Sequence, residues 1–273
     1  MTDNTRSVLL FDVGNSAIKF AFATSKGRGK THIVQSKEDC LSTSFGVALE
    51  RIAYEEAIHL SSLEAIYISS VVPTLTTFLD VLLSSLFSCD IYHIPKDKAV
   101  PLASQYEPKD TLGADRLIAA YAASCFYPDQ CVITVDIGTA ITIDCICAHT
   151  FLGGFILPGL SLILESLQNA AQLPKVFPIL EAGDFALGTS TESCMRLGAT
   201  FGSLAMLESL LSRCKDFLAK PCVTLATGGA AHLFSAYKAC WKEKPLFTAI
   251  YPDLVLQGLF FLWHQQCNKK SSC

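Results

Sequence analysis

The chain has 273 residues, 51% of them apolar, and a net charge of −4 with acidic and basic residues interspersed. That length is long for one compact domain and comfortable for two. No basic block points to a nucleic-acid partner, and no run of about 18 apolar residues predicts a membrane span.

In chain order, Val8–Phe11 and Ile18–Ala23 read as strands flanking a Gly-Asn turn, a hairpin signal. Residues 24–36 are polar and Gly/Lys-rich, which predicts a solvated loop and a further edge strand. Residues 45–60 have helical spacing. "AIYISSVVP" (65–73) is a β-rich run stopped by proline, hence a buried strand. "TLTTFLDVLLSSLF" (74–87) predicts an amphipathic helix with Thr74 as its N-cap. Another strand covers 90–95, a polar loop with two prolines covers 99–112, and 113–127 reads as an Ala/Leu-rich helix.

The second half repeats the rhythm, with strands at 131–136, 140–148 and 151–157 and a helix at 160–173. Residues 189–218 form a long helical stretch, expected to break near Gly198 or Gly202. "CVTLATGGAA" (222–231) is a strand running into a Gly-rich turn. "DLVLQGLFFLW" (253–263) is an apolar helix, and the polar tail 268–273 is expected to fray. Alternating strands and helices imply an α/β protein with partly parallel sheets.

Twelve cysteines are present, without a Cys-x-x-Cys pair. In a chain of this size that predicts free thiols rather than a disulfide framework or a zinc site. The start, "MTDNTRSV", has no apolar signal core, so a cytoplasmic location is expected. The six histidines do not cluster in sequence.

Each half opens with a strand, Asp-x-Gly, a small polar residue and a second strand: "VLLFDVGNSAIKFAF" (8–22) and "VITVDIGTAITIDCI" (132–146). Asp-Gly hairpins are common, but here the apolar flanks match as well, which suggests a duplicated domain. Glycine in such a turn lets backbone approach a ligand, and successive N–H groups can hold phosphate oxygens. The aspartate would be repelled by phosphate, yet can hold Mg²⁺ or its waters, and the metal bridges to the phosphates. With the third turn "ATGGAA" (226–231), the set could hold a nucleotide between two domains: phosphates at the hairpins, adenosine at Gly-Gly.

These motifs resemble, in order, those of the acetate and sugar kinase, heat-shock protein and actin superfamily. Within it the chain is similar to type III pantothenate kinases. The resemblance rests on "DVGNSAIK" (12–19), "YEPKDTLGADR" (106–116), "DIGTAITID" (136–144), "GGFILPGL" (153–160), "TSTESCMRLG" (189–198), "TGG" (227–229) and "DLVLQGL" (253–259), which span nearly the whole chain. It implies two duplicated actin-like (ribonuclease H-like) α/β domains with mixed sheets flanked by helices. They are expected at 1–117 and 118–273, the last helix packing back on the first domain. Two departures stand out: Ser16 where the family has Thr, and Ile141-Thr142 where it has Thr-Thr.

From residues alone, Asp115 is a helix cap, a partner for Arg116 or a proton acceptor. The resemblance implies the last, a base for phosphoryl transfer from ATP to pantothenate. It also implies pantothenate binding by Tyr106, Gly113, Ala114, Asp115 and Arg116, and by Thr191 across a homodimer interface. Arg116 alone would suit a carboxylate, a phosphate or a surface ion pair, and Thr191 alone a helix N-cap. ATP is expected on Asp12, Val13, Gly14, Asn15, Ser16, Ala17, Ile18, Lys19 and Thr139. Mg²⁺ is expected with Asp12, directly or through water, and the resemblance implies a monovalent cation, K⁺ or NH₄⁺, at Asp136. Lys19 is placed to reach a phosphate or to stay solvated. No nucleic-acid or membrane partner is expected. The alternatives are another small-molecule kinase of the superfamily, such as a sugar kinase, and an inactive nucleotide-binding regulator of the same fold.

Overall fold

A carboxylate sits near the end of two very apolar strands, and those strands are built alike. The computed structural model describes residues 6–37, 43–171, 173–178, 185–236 and 245–270. The chain divides into two compact units, one of Met1–Leu102, Glu107–Cys125 and Asp253–Cys273, the other of Ala103–Tyr106 and Phe126–Pro252. The boundary expected after residue 117 falls inside a helix, Ala114–Phe126.

The first unit holds β1 (Ser7–Val13), β2 (Ala17–Thr24), β3 (Gly27–Arg28), β4 (His32–Gln35), β5 (Leu63–Ser70) and β6 (Asp90–His93). They form one sheet in the order β3-β2-β1-β5-β6, with β4 also on β2. β1 runs antiparallel to β2 and parallel to β5, and β5 is parallel to β6. Its helices include α1 (Thr43–Glu55), α2 (Pro73–Leu86) and α3 (Ala114–Phe126). Strand alternation sends Leu9, Phe11 and Val13 to one face, where they meet Phe45 and Leu49 of α1 and Leu75, Leu79 and Leu83 of α2. Asp12 therefore lies on the opposite face.

The second unit holds β7 (Ala103–Ser104), β8 (Cys131–Ile137), β9 (Ala140–Cys147), β10 (Thr150–Pro158), β11 (Cys222–Thr227) and β12 (Ala249–Ile250), in the order β12-β11-β8-β9-β10-β7. Its helices are α4 (Leu160–Ala171), α5 (Thr191–Leu218) and α6 (Ala231–Ala236). β8 runs antiparallel to β9 and parallel to β11, and β11 is parallel to β12. This is the β2-β1-β5-β6 arrangement of the first sheet. The duplication reaches single residues: along β1 and β8 every residue is buried except the sixth, Asp12 and Asp136, and β2 and β9 share one burial pattern. These are mixed sheets flanked by helices, as expected.

The last helix, α7 (Leu254–Lys270), belongs to the first unit and packs on β1, β2 and β5. Its start is tied down by Asp253, which accepts from Arg28 at 2.5 Å and also from the Thr31 hydroxyl. The Tyr67 hydroxyl donates to Gln266 at 2.8 Å near its far end. At Gly258 the helix comes so close to α3 that an added Cβ would lie 2.5 Å from the carbonyl oxygen of Ile118.

Several local expectations are corrected. Thr74 does not cap α2: the helix starts at Pro73, with Val72 in the cap position and no side-chain cap. Proline suits the first helical position because its missing N–H has no intrahelical partner there. α5 is unbroken at Gly198 and Gly202, since Met195, Ala199, Leu204, Leu207, Leu211 and Leu218 bury one side of it. That burial outweighs the roughly 1 kcal/mol that each helical glycine costs. α7 runs to Lys270, into the tail expected to fray; 271–273 lie outside the described residues.

The expectation of free thiols fails at one place. Cys131 and Cys147 face each other across the β8–β9 ladder with their Cα atoms 4.2 Å apart, and they form a disulfide. Sequence spacing does not show strand register, so the pair could not be read there. Nearby, a hydrogen bond to Cys214, and then burial, push the Cys145 thiol up, and the same bond lowers Cys214.

Candidate active site

In the first unit, β1 turns into β2 through Gly14, whose N–H donates to the carbonyl of Ala17 at 3.1 Å. A Cβ on Gly14 would press to 3.2 Å from that oxygen, which is why glycine suits the turn. The turn is held from outside by Ser36, whose hydroxyl donates to the Gly14 carbonyl at 2.5 Å and whose N–H donates to the Ser16 carbonyl at 3.2 Å. Asn15 and Ser16 are exposed at its tip, and Ala17 is half-buried. Val13 and Ile18 pair beneath it as core residues, so only their backbone is open to a ligand.

Asp12 is half-buried. It pairs in register with Lys19 on β2 and Ser69 on β5. Ser69 is fully buried, and its hydroxyl has no hydrogen-bond partner among the described residues. An unmade hydrogen bond in a core costs about 1–3 kcal/mol. The Asp12 carboxylate offers two oxygen donors. They fit Mg²⁺, which commonly takes one or two carboxylates and completes its shell with water and substrate phosphates.

Also in the first unit, Gly113 precedes α3 and its carbonyl accepts from Leu117 N–H at 3.1 Å, closing the first helical turn. Ala114 is the first helical residue and Asp115 the second. The Asp115 carboxylate is half-buried and accepts from the Arg116 backbone N–H at 2.8 Å. A Cβ on Gly113 would sit 2.6 Å from Asp115 Oδ1, so glycine leaves the carboxylate its room. The first turn of a helix favours an anion through its unpaired N–H groups and the helix dipole. Arg116 is only 8% exposed, which excludes the solvated surface ion pair that the sequence allowed.

In the second unit, Asp136 pairs with Thr142 on β9 and Thr227 on β11. The turn after it is one residue shorter than its counterpart. Gly138 N–H donates to the Ala140 carbonyl at 3.0 Å, and Thr139 is exposed at the tip. Two further loops close on this turn backbone to backbone. Gly159 N–H donates to the Thr139 carbonyl at 3.0 Å, and Ala230 N–H to the Ile137 carbonyl at 3.0 Å. Gly228 has φ +90°, and an added Cβ there would run into the Asp136 carboxylate and the Ile137 carbonyl. A carboxylate with carbonyls close by suits a hard monovalent cation. Ile141, the departure from Thr-Thr, is fully buried opposite Ile137, so its side chain belongs to the core.

Tyr106 is half-buried and meets Phe151 edge-on, with ring centroids 5.9 Å apart. It falls in the second unit, whereas residues 113–116 of the same motif fall in the first. Thr191 is exposed at the first position of α5. Ser190 is the N-cap, bonded reciprocally with Ser193, so the cap reading of Thr191 is excluded. Among the described residues no three or more His, Cys, Asp or Glu side chains gather in metal-binding geometry.

Sequence reasoning missed Ser36 and Ser69. Ser36 lies in a polar stretch with nothing to single it out. The signal for Ser69 was a serine pair ending the apolar run "AIYISSVVP".

The family model described as "Type III pantothenate kinase" matches residues 8–213. A type III pantothenate kinase of Desulfovibrio desulfuricans is 34% identical over 261 residues, 95% of this chain and 97% of that protein. The chain belongs to the type III pantothenate kinase family. It is therefore a kinase. Among solved structures, a conserved Campylobacter jejuni protein assigned to the Baf family of transcriptional activators has a TM-score of 0.58 at 20% identity, covering 95% of this chain and 99% of that one. The (R)-2-hydroxyglutaryl-CoA dehydratase component A of Acidaminococcus fermentans has a TM-score of 0.51 at 12% identity, covering 96% and 98%. At these identities the structures establish a shared fold and nothing more. The type III pantothenate kinase match covers both hairpins and the Asp115 helix.

Proposed function

We propose that this protein transfers the γ-phosphoryl group of ATP to the terminal hydroxyl of pantothenate, giving 4'-phosphopantothenate and ADP, the first step toward coenzyme A. The observation that carries this reading is the Asp115 carboxylate at the head of α3. A glycine leaves it room and a backbone N–H fixes one oxygen. The pantothenate hydroxyl oxygen bonds to the γ-phosphorus, the bond to the β–γ bridging oxygen breaks, and the hydroxyl proton passes to Asp115.

The Arg116 guanidinium is a planar donor fork suited to the pantothenate carboxylate. Tyr106, the Gly113–Ala114 backbone and Thr191 complete the acceptor site, Thr191 acting on the partner of a homodimer. Exposed apolar side chains of the second unit, Phe155, Ile156, Leu162 and Leu167, favour such an interface. The turn Gly14–Ser16, the Lys19 ammonium and the Thr139 turn hold the ATP phosphates. Mg²⁺ held through Asp12 supplies charge neutralisation on the phosphates, and K⁺ or NH₄⁺ at Asp136 adds to it. A cytoplasmic location fits these substrates. Among the described residues no helix is long and apolar enough to cross a membrane.

A coupled assay of ADP release with pantothenate, run with and without K⁺, tests the reading. Turnover with pantothenate and not with hexoses supports it. ATP binding without turnover on any small alcohol contradicts it.

A further inference from the structure

We propose that Ser69 is a positioning residue for the metal-binding carboxylate: its hydroxyl is reserved for Asp12 and donates to it when Mg·ATP is bound. The inference rests on the assignment of Mg²⁺ to Asp12. Ser69 is the β5 residue in register with Asp12, in a parallel pairing that runs from Val8/Ala65 to Val13/Ser70. Residues in register on neighbouring strands stand on the same face, separated by the strand spacing of about 5 Å. The core contacts agree: Phe11 and Val13 flank Asp12, Ile68 precedes Ser69, and all three apolar residues turn to the α1–α2 side. Asp12 and Ser69 thus share the other face at the end of the sheet. The proposed bond requires only that one of the two side chains change between staggered rotamers.

Ser69 is 0% exposed and its hydroxyl is without a partner among the described residues. A buried donor left unmade destabilises the fold, and a partner that arrives with a bound ion is one physical explanation for it. The neighbouring serine shows what a purely structural hydroxyl does here. Ser70 accepts from Val72 N–H at 3.1 Å and from the Thr76 hydroxyl at 2.5 Å, building the turn into α2. Ser69 builds nothing comparable. The duplicated sheet repeats the pairing, because Thr227 on β11 stands in register with Asp136 and is likewise buried. Both candidate cation-binding aspartates therefore have a buried hydroxyl at the adjacent rung. Ligating carboxylates are themselves hydrogen-bonded as a rule, and loss of that support weakens metal binding by about 10–100-fold.

The test is thermal unfolding of the full chain, with and without ATP, across a Mg²⁺ series. Ser69→Ala should leave the ligand-free midpoint unchanged or raise it, since an unmade hydrogen bond is removed. It should raise the Mg²⁺ concentration for half of the ATP-induced shift by about 10-fold or more. Ser69→Thr, which places the second unit's residue at this rung, should keep the parent half-point. Asp12→Asn separates the two claims. If Asp12→Asn loses the Mg²⁺ dependence and Ser69→Ala keeps the parent half-point, the Ser69 inference is wrong while the metal assignment stands. If Asp12→Asn keeps the dependence, the metal assignment itself is wrong. A Ser69→Ala protein with a lowered ligand-free midpoint and an unchanged half-point would mark Ser69 as an ordinary core hydroxyl.

Discussion

Adding one methyl group at Gly113 moves the candidate base without removing it. In Gly113→Ala the new Cβ would lie 2.6 Å from Asp115 Oδ1, whereas real Cβ atoms essentially never approach below 3.0 Å. The carboxylate must retreat by a few tenths of an ångström, or rotate away from the Arg116 N–H that holds it at 2.8 Å. Gly113 occupies the position before the first helical residue, where alanine is a poor cap, so stability falls by about 1 kcal/mol. Positional errors approaching 1 Å at a reacting group can cost about 100-fold in rate. We therefore expect kcat for pantothenate to fall by about 10–100-fold, roughly 1.4–2.7 kcal/mol of barrier. The assay is coupled ADP release at saturating ATP, with circular dichroism to confirm folding. A folded Gly113→Ala enzyme with kcat within about twofold of the parent would refute the idea that this glycine sets the carboxylate, because misplacing a reacting group costs far more than that.

Gly228→Ala should destabilise the second unit by about 2 kcal/mol or more, because φ is +90° and the methyl meets backbone at Ile137 as well as Asp136. A urea midpoint equal to the parent's would contradict that. At alkaline pH the Tyr67 hydroxyl matters: burial first, then the charges of Tyr92, Cys267 and Glu64, push its pKa upward. An acid with a raised folded-state pKa contributes stability that is complete below its unfolded value, about 10, and is lost as pH rises toward the folded value. The Tyr67 share should therefore hold to about pH 10 and be lost above, on top of an earlier loss from the thiols Cys89, Cys125, Cys145 and Cys222, whose pKa values are also raised. In Tyr67→Phe the decline should be shallower, at the cost of the Gln266 bond, about 1 kcal/mol. An equally steep decline in Tyr67→Phe would assign it to other groups.

The two hairpins were legible because they are local. An apolar run, a carboxylate, a glycine and a second apolar run determine strand, turn and strand with no distant partner. The duplication followed from comparing them, and the burial of β1 and β8 repeats it residue by residue. What stayed hidden depends on register or packing. The Cys131–Cys147 bond needs the β8–β9 pairing. Ser69 matters only once β5 is known to lie beside β1. Ser36 closes the first turn from a polar stretch with no pattern of its own. α6, after the Gly-Gly turn, and the two-residue β12 are too short to leave a periodic signal. The unbroken α5 shows tertiary burial overriding the local preference of glycine.

In the proposed reaction Asp115 accepts the proton of the pantothenate hydroxyl. The most direct measurement is the turnover of Asp115→Asn beside its ATP affinity, because asparagine keeps the shape of the side chain and removes its charge. With Asp115 as the base, pantothenate-dependent ADP release should fall by about 100-fold or more, the scale of a lost general base, while ATP binding stays within about twofold. An Asp115→Asn protein that keeps most of the parent's turnover would contradict it.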